Sequence, residues 1–212
     1  MAKTLRYAIW FGAAILFAYS IRHAKPPPPA PGTVPPVNRA VALLAARAAA
    51  SGNPIGRRTA SGSCTARNGL PDPTCTPGAI FPTAAPAQIC TKGYTAAVRS
   101  VPTSEKRAVY HAYGFAYPQA RGMFEADHLI ALELGGSNEI ANLWPEAAAP
   151  APGFHEKDLV ENYLNEEVCA GNLPLAAAQS LIARDWLSVY RSLNPDEIKL
   201  LKEDAAARTN FN

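Results

Sequence analysis

Between Met1 and Pro71 the chain carries nine lysines and arginines and not one aspartate or glutamate. Residues 72–212 hold eleven basic and seventeen acidic side chains, so the net charge of +3 conceals two parts of +9 and −6. Cysteine is scarce as well: Cys64, Cys75, Cys90 and Cys169 show no C-x-x-C spacing and no histidine beside them, which excludes a zinc ribbon or finger. No nucleophile elbow is present, so serine or cysteine hydrolase chemistry has no carrier. There is no internal repeat, and nothing reads as a helix-turn-helix or zinc-finger reader of base sequence.

Long hydrophobic runs are also missing. An uncharged, largely apolar run, Tyr7 to Ile21, has fifteen residues flanked by Lys3, Arg6, Arg22 and Lys25. As a helix it spans about 22 Å, short of the roughly 30 Å hydrocarbon core of a bilayer. Residues 1–25 therefore read as a secretory signal, with an uncleaved anchor with snorkelling basic flanks as the alternative; either one exports the chain. An even number of cysteines in an exported chain points to two disulfides. Three pairings are open, and we expect the short loop Cys64 to Cys75 with Cys90 to Cys169, which ties the segment before the core to a later helix.

What the chain does have follows in order. Seven prolines between Lys25 and Val37 make an extended tether. Asn38 caps a short Ala/Leu-rich helix, Arg39 to Ala50, with little bulk to bury; we expect it to be only partly formed within a basic linker over residues 26–71. Arg57 and Arg58 read as solvated linker charge. Ile89 to Val101 has mixed β character. Thr103 or Ser104 caps a helix that runs to Tyr113 and stops at Gly114.

A strand is expected over Phe124 to Leu134, then a Gly135-Gly136-Ser137-Asn138 turn and a second strand from Ala141 to Trp144, ended by Pro145. His155 opens a helix to Ala170 with Leu159, Val160, Tyr163, Leu164 and Val168 on one side. Pro174 starts another helix, with Ala178, Leu181, Ile182 and Trp186 on its apolar face. Asn194-Pro195-Asp196-Glu197 caps a last one to about Arg208. Tyr163 and Trp186 read as core, and His23 and His111 as incidental.

The chemistry concentrates in FEADHLIALELGGSNEIANLWPEAAAPAPGFHEKD, Phe124 to Asp158. An acid and an imidazole adjoin (Asp127, His128), Asn142 precedes an apolar-aromatic pair, and His155 stands at a helix start. Neighbours on a strand point to opposite faces, so one can reach a metal while the other reaches water.

The motifs Asp127-His128-Leu129-Ile130, Leu132 to Asn138, Asn142-Leu143-Trp144-Pro145 and His155-Glu156-Lys157-Asp158 resemble exported HNH endonucleases of the His-Me finger, or ββα-metal, group. The likeness covers about residues 72–187 and takes in Cys75 to Gly78 and Cys90 to Tyr94. It implies an α+β fold with a ββα-metal core at residues 72–190, and residues 191–212 form a helical extension.

By motif position it implies that His128 is the general base, that Asn142 holds the loop and the base in place, and that Asp127 and His155 bind a divalent ion. Mg²⁺ suits two protein ligands with open positions, while Mn²⁺, Ni²⁺ or Zn²⁺ are admitted. The implied activity is hydrolysis of nucleic-acid phosphodiesters with little sequence specificity, DNA before RNA, by a monomer that touches the membrane only if its N-terminal segment stays uncleaved.

A non-catalytic exported binding module of the same fold is the alternative. Against easy phosphate binding stands the −6 of residues 72–212; either the basic N-terminal segment or a local cluster drawn from Lys92, Arg99, Lys106, Arg107, Arg121 and Lys157 has to supply the contacts.

Overall fold

The computed structural model describes residues 37–50 and 55–209. The expected signal or anchor at 1–25 and the proline tether up to residue 36 lie outside the described residues. The described chain is mixed helix and sheet, an α+β architecture. Its elements are α1 (Arg39–Ala50), α2 (Pro86–Ile89), α3 (Tyr94–Val98), α4 (Thr103–Ala112), β1 (Phe124–His128), β2 (Leu143–Ala147), α5 (Phe154–Cys169), α6 (Leu175–Ser192) and α7 (Pro195–Thr209), with 3-10 turns at Leu132–Leu134 and Ile140–Asn142.

The apolar faces of α5 and α6 pack together and make the larger core. Leu159, Val160, Tyr163, Leu164 and Val168 from α5 meet Ala178, Leu181, Ile182 and Trp186 from α6. Removing a buried Leu or Ile side chain from water is favourable by about 1.5–3 kcal/mol, so this seam dominates the domain's stability. At Asp185 α6 bends, and the Asp185 carboxylate accepts from the amide of Ser188 at 3.0 Å, restarting the helix as a cap does. Asn194 caps α7, its Oδ1 accepting from the amides of Asp196 (2.9 Å) and Glu197 (3.0 Å).

The Ala/Leu-rich helix differs from expectation. α1 is formed over its full length, and Val41, Ala45 and Ala48, at helical spacing, are buried against α6. Asn38 ties its start to the C-terminal helix by donating to Glu197 at 3.0 and 3.1 Å. Tertiary burial supplies what propensity and charge pairing lacked.

Three further expectations are corrected. The β character read into Ile89 to Val101 gives two short helices: Pro86 begins α2 and Gly93, at φ +85°, begins α3. β1 ends at His128 instead of running to Leu134, because the main chain of Ile130 bonds to the side chain of Asn142 and not to a partner strand. Pro145 lies inside β2, opposite Ala126, and does not end it. In a two-stranded ladder the outer edge asks no donor of a proline.

β1 and β2 pair antiparallel, Asp127 opposite Trp144 and His128 opposite Leu143. Cys64–Cys75 and Cys90–Cys169 are both bonded, the pairing expected. The second bridge joins the chain beyond α2 to the end of α5. Two disulfides indicate an oxidising compartment. Among the described residues no helix is long and apolar enough to cross a membrane.

Candidate functional site

Alternation along β1 divides the site in two. Ala126 and His128 face one way, and Glu125 and Asp127 face the other. On the first side lies a cleft of about 440 Å³ lined by Arg99, Ser100, Val101, Pro102, Lys106, Ala126 and His128. Two cations from the segment before and within α4 thus stand beside the imidazole.

His128 is 4 % exposed. Its Nε2 lies 3.2 Å from Oδ1 of Asn138. The Asn138 amide is fixed from behind: Nδ2 donates to the carbonyl of Val98 at 2.7 Å, and Oδ1 accepts from the amide of Ser100 at 3.2 Å. Since that Oδ1 only accepts, Nε2 carries the proton and Nδ1 is the basic nitrogen. Burial, aided by the charges of Arg99 and Lys157, pulls the pKa of His128 down to about 4, although Asp127 and Asn138 work the other way. The ring is neutral at pH 7.

Asn142 is fully buried and uses its whole amide on the loop between the strands. Oδ1 accepts from the amides of Ile130 (2.9 Å) and Ala79 (3.4 Å), while Nδ2 donates to the carbonyls of Ile130 (3.0 Å) and Ser137 (2.9 Å). It staples the loop that follows His128 and carries Asn138. Gly136 completes that loop by close approach: a Cβ there would stand 1.8 Å from the carbonyl oxygen of Ile130. Gly135 turns it at φ +76°, a conformation glycine adopts without strain.

On the second side, Lys157 of α5 is buried among carboxylates. Its Nζ donates to Asp127 Oδ2 at 2.6 Å, to the carbonyl of His128 at 2.8 Å and to Glu161 Oε1, and Glu146 Oε2 lies 4.0 Å away. Burial opposes the charge on Asp127, but Lys157 outweighs it and holds that carboxyl below its usual range. Against the same penalty, Asp127 and Glu161 keep Lys157 protonated far above the ordinary range of an amine.

Glu146 goes the opposite way. Burial, with the charge of Asp127 adding and that of Lys157 opposing, pushes it up to about 10. Among the described residues neither of its oxygens has a hydrogen-bond partner, as suits a carboxyl that burial keeps neutral.

The two expected metal ligands sit differently. Asp127 is engaged by Lys157, its side chain 15 % exposed. His155 is exposed on the first turn of α5, its ring 4.2 Å from that of Phe154. Among the described residues no group of three or more His, Cys, Asp or Glu side chains converges to hold an ion. Asp127 Oδ2 lies 2.6 Å from the ammonium of Lys157.

Three features escaped the sequence reading. Asn138 has a turn position and a place in the Leu132 to Asn138 motif, but nothing in the pattern ties it to His128. Lys157 was grouped with surface cations, although it falls three and seven residues before Val160 and Leu164 on the buried stripe of α5, where a charge signals a buried pair. Glu146 follows a proline in the expected stop of the strand, so its burial was not foreseen. Comparison with family models, with curated proteins and with solved structures found no match for this chain.

Proposed function

We propose that the domain is an HNH-type, His-Me finger endonuclease that hydrolyses nucleic-acid phosphodiesters at the His128 cleft, outside the cytoplasm, with DNA preferred to RNA and little sequence preference. The observation that carries this reading is a buried imidazole, its Nε2 3.2 Å from Asn138 Oδ1, set in one cleft with Arg99 and Lys106. A phosphodiester is an anion that repels nucleophiles, so it needs an activated water and positive charge beside the reacting phosphate.

In this reading Nδ1 of His128 takes a proton from water, and the oxygen attacks phosphorus. The bond from phosphorus to the leaving oxygen breaks, and that oxygen is protonated from solvent. Arg99 and Lys106 hold the charge that gathers on the phosphate oxygens. Asn142 acts through the loop it staples. The divalent ion implied by the resemblance, Mg²⁺ before Mn²⁺, Ni²⁺ or Zn²⁺, is part of the proposal as an ion supplied from solution.

The layout of charge around the hairpin supports the same reading. Although residues 72–212 sum to −6, acids gather behind the hairpin around Lys157 and two cations stand in front of it. The oxidised protein is tested on plasmid DNA, single-stranded DNA and RNA with each of the four ions. Nicking of plasmid with Mg²⁺ or Mn²⁺ is expected. A folded protein that leaves every substrate intact with every ion removes the enzyme reading in favour of the binding module.

A further inference from the structure

Behind the hairpin, three oxygens from two elements, β1 and α5, meet at one point, and the point is an amine. We propose that Lys157 is the resident cation of this site, standing where the resemblance puts a divalent ion at Asp127, and that it anchors the main chain at His128. Asp127 Oδ2 of β1 lies 2.6 Å from Nζ and the carbonyl of His128 2.8 Å from it, with Glu161 Oε1, one turn along α5, the third acceptor. An ammonium has three donors, and these three oxygens use them all.

The lysine does not reach in from solvent, since its side chain is 1 % exposed. Glu146, 2 % exposed and 4.0 Å from Nζ, closes the cage with a further carboxyl. An ion ligated by the same oxygens would need the volume of the amine and would repel its charge, so the two occupants exclude each other. Two carboxylates and a carbonyl about one point are nonetheless a hard-oxygen donor set of the kind Ca²⁺ and Mn²⁺ accept. Vacating the amine should expose it.

The test is calorimetric titration of the oxidised full-length protein with Mn²⁺ and, separately, Ca²⁺. Wild type and Asp127→Asn are expected to titrate alike. Lys157→Met, which keeps most of the apolar stem, is expected to gain one site with a dissociation constant of about 10⁻⁴ to 10⁻³ M, as in extracellular oxygen-ligand modules. That site should vanish in Lys157→Met/Asp127→Asn, and Mn²⁺ should raise the melting temperature of Lys157→Met but not of wild type.

Wild-type binding of one ion that Asp127→Asn abolishes overturns the proposal, and so does a folded Lys157→Met that gains nothing. If Lys157→Met folds only with Mn²⁺, the recovery supports it. If it folds under neither condition, the wild-type and Asp127→Asn titrations decide by themselves. The readout is binding and not cleavage, so a protein that cuts no nucleic acid leaves this result standing.

Discussion

His128 owes its neutrality to burial, and the same burial ties its charge to stability. Its pKa in the folded chain, about 4, lies below the ordinary 6.5. Between those values the folded protein binds fewer protons than the unfolded one, so stability is full above pH 6.5 and is lost as pH falls through the window, by at most about 3 kcal/mol. Denaturant titrations from pH 7 to pH 4 should show this loss, and His128→Phe should flatten it. Glu146 has the opposite sign: with a pKa raised from 4.5 to about 10, it makes the fold less stable as pH rises across that range. Glu146→Gln should therefore resist alkaline unfolding better than wild type. Asn142→Ala would strand the amide and carbonyl of Ile130 and the carbonyl of Ser137, at a cost of about 3 kcal/mol or more in chemical denaturation.

At the scale of elements, the hairpin-loop-helix order and the helices α4 to α7 were legible because periodicity, caps and glycine stops agreed. Leu159, Val160, Tyr163, Leu164 and Val168 formed the buried stripe of α5 that their spacing predicted. The end of β1 was not legible. Apolar alternation continues through Ile130 and Leu132, but a side-chain amide twelve residues on competes for the hydrogen bonds of Ile130, and pattern does not reveal that rival. Neither was the docking of α1, since burial of Val41 depends on a helix more than a hundred residues away. Val41→Asp should lower stability by about 3 kcal/mol, the cost of a buried unpaired charge, measured by urea unfolding. His128 and Asn142 could be picked out by motif, whereas Asn138 and Lys157 act through contacts that only the folded chain creates.

For the molecule as a whole, the bridges and the charge layout matter most. Cys90–Cys169 spans 79 residues. Cys90→Ala/Cys169→Ala should lower the unfolding free energy by about 4 kcal/mol, through the closed loop it removes from the unfolded chain. If Arg99 and Lys106 contact phosphates, Arg99→Ala/Lys106→Ala should weaken DNA binding and reduce the steepness of its salt dependence by about two in log–log slope. The most direct test of the central claim is the rate of plasmid nicking with Mg²⁺ or Mn²⁺ by oxidised wild type against folded His128→Ala. The account predicts a loss of about 10²- to 10⁴-fold, the contribution of a general base. Nicking by His128→Ala at the wild-type rate would contradict it.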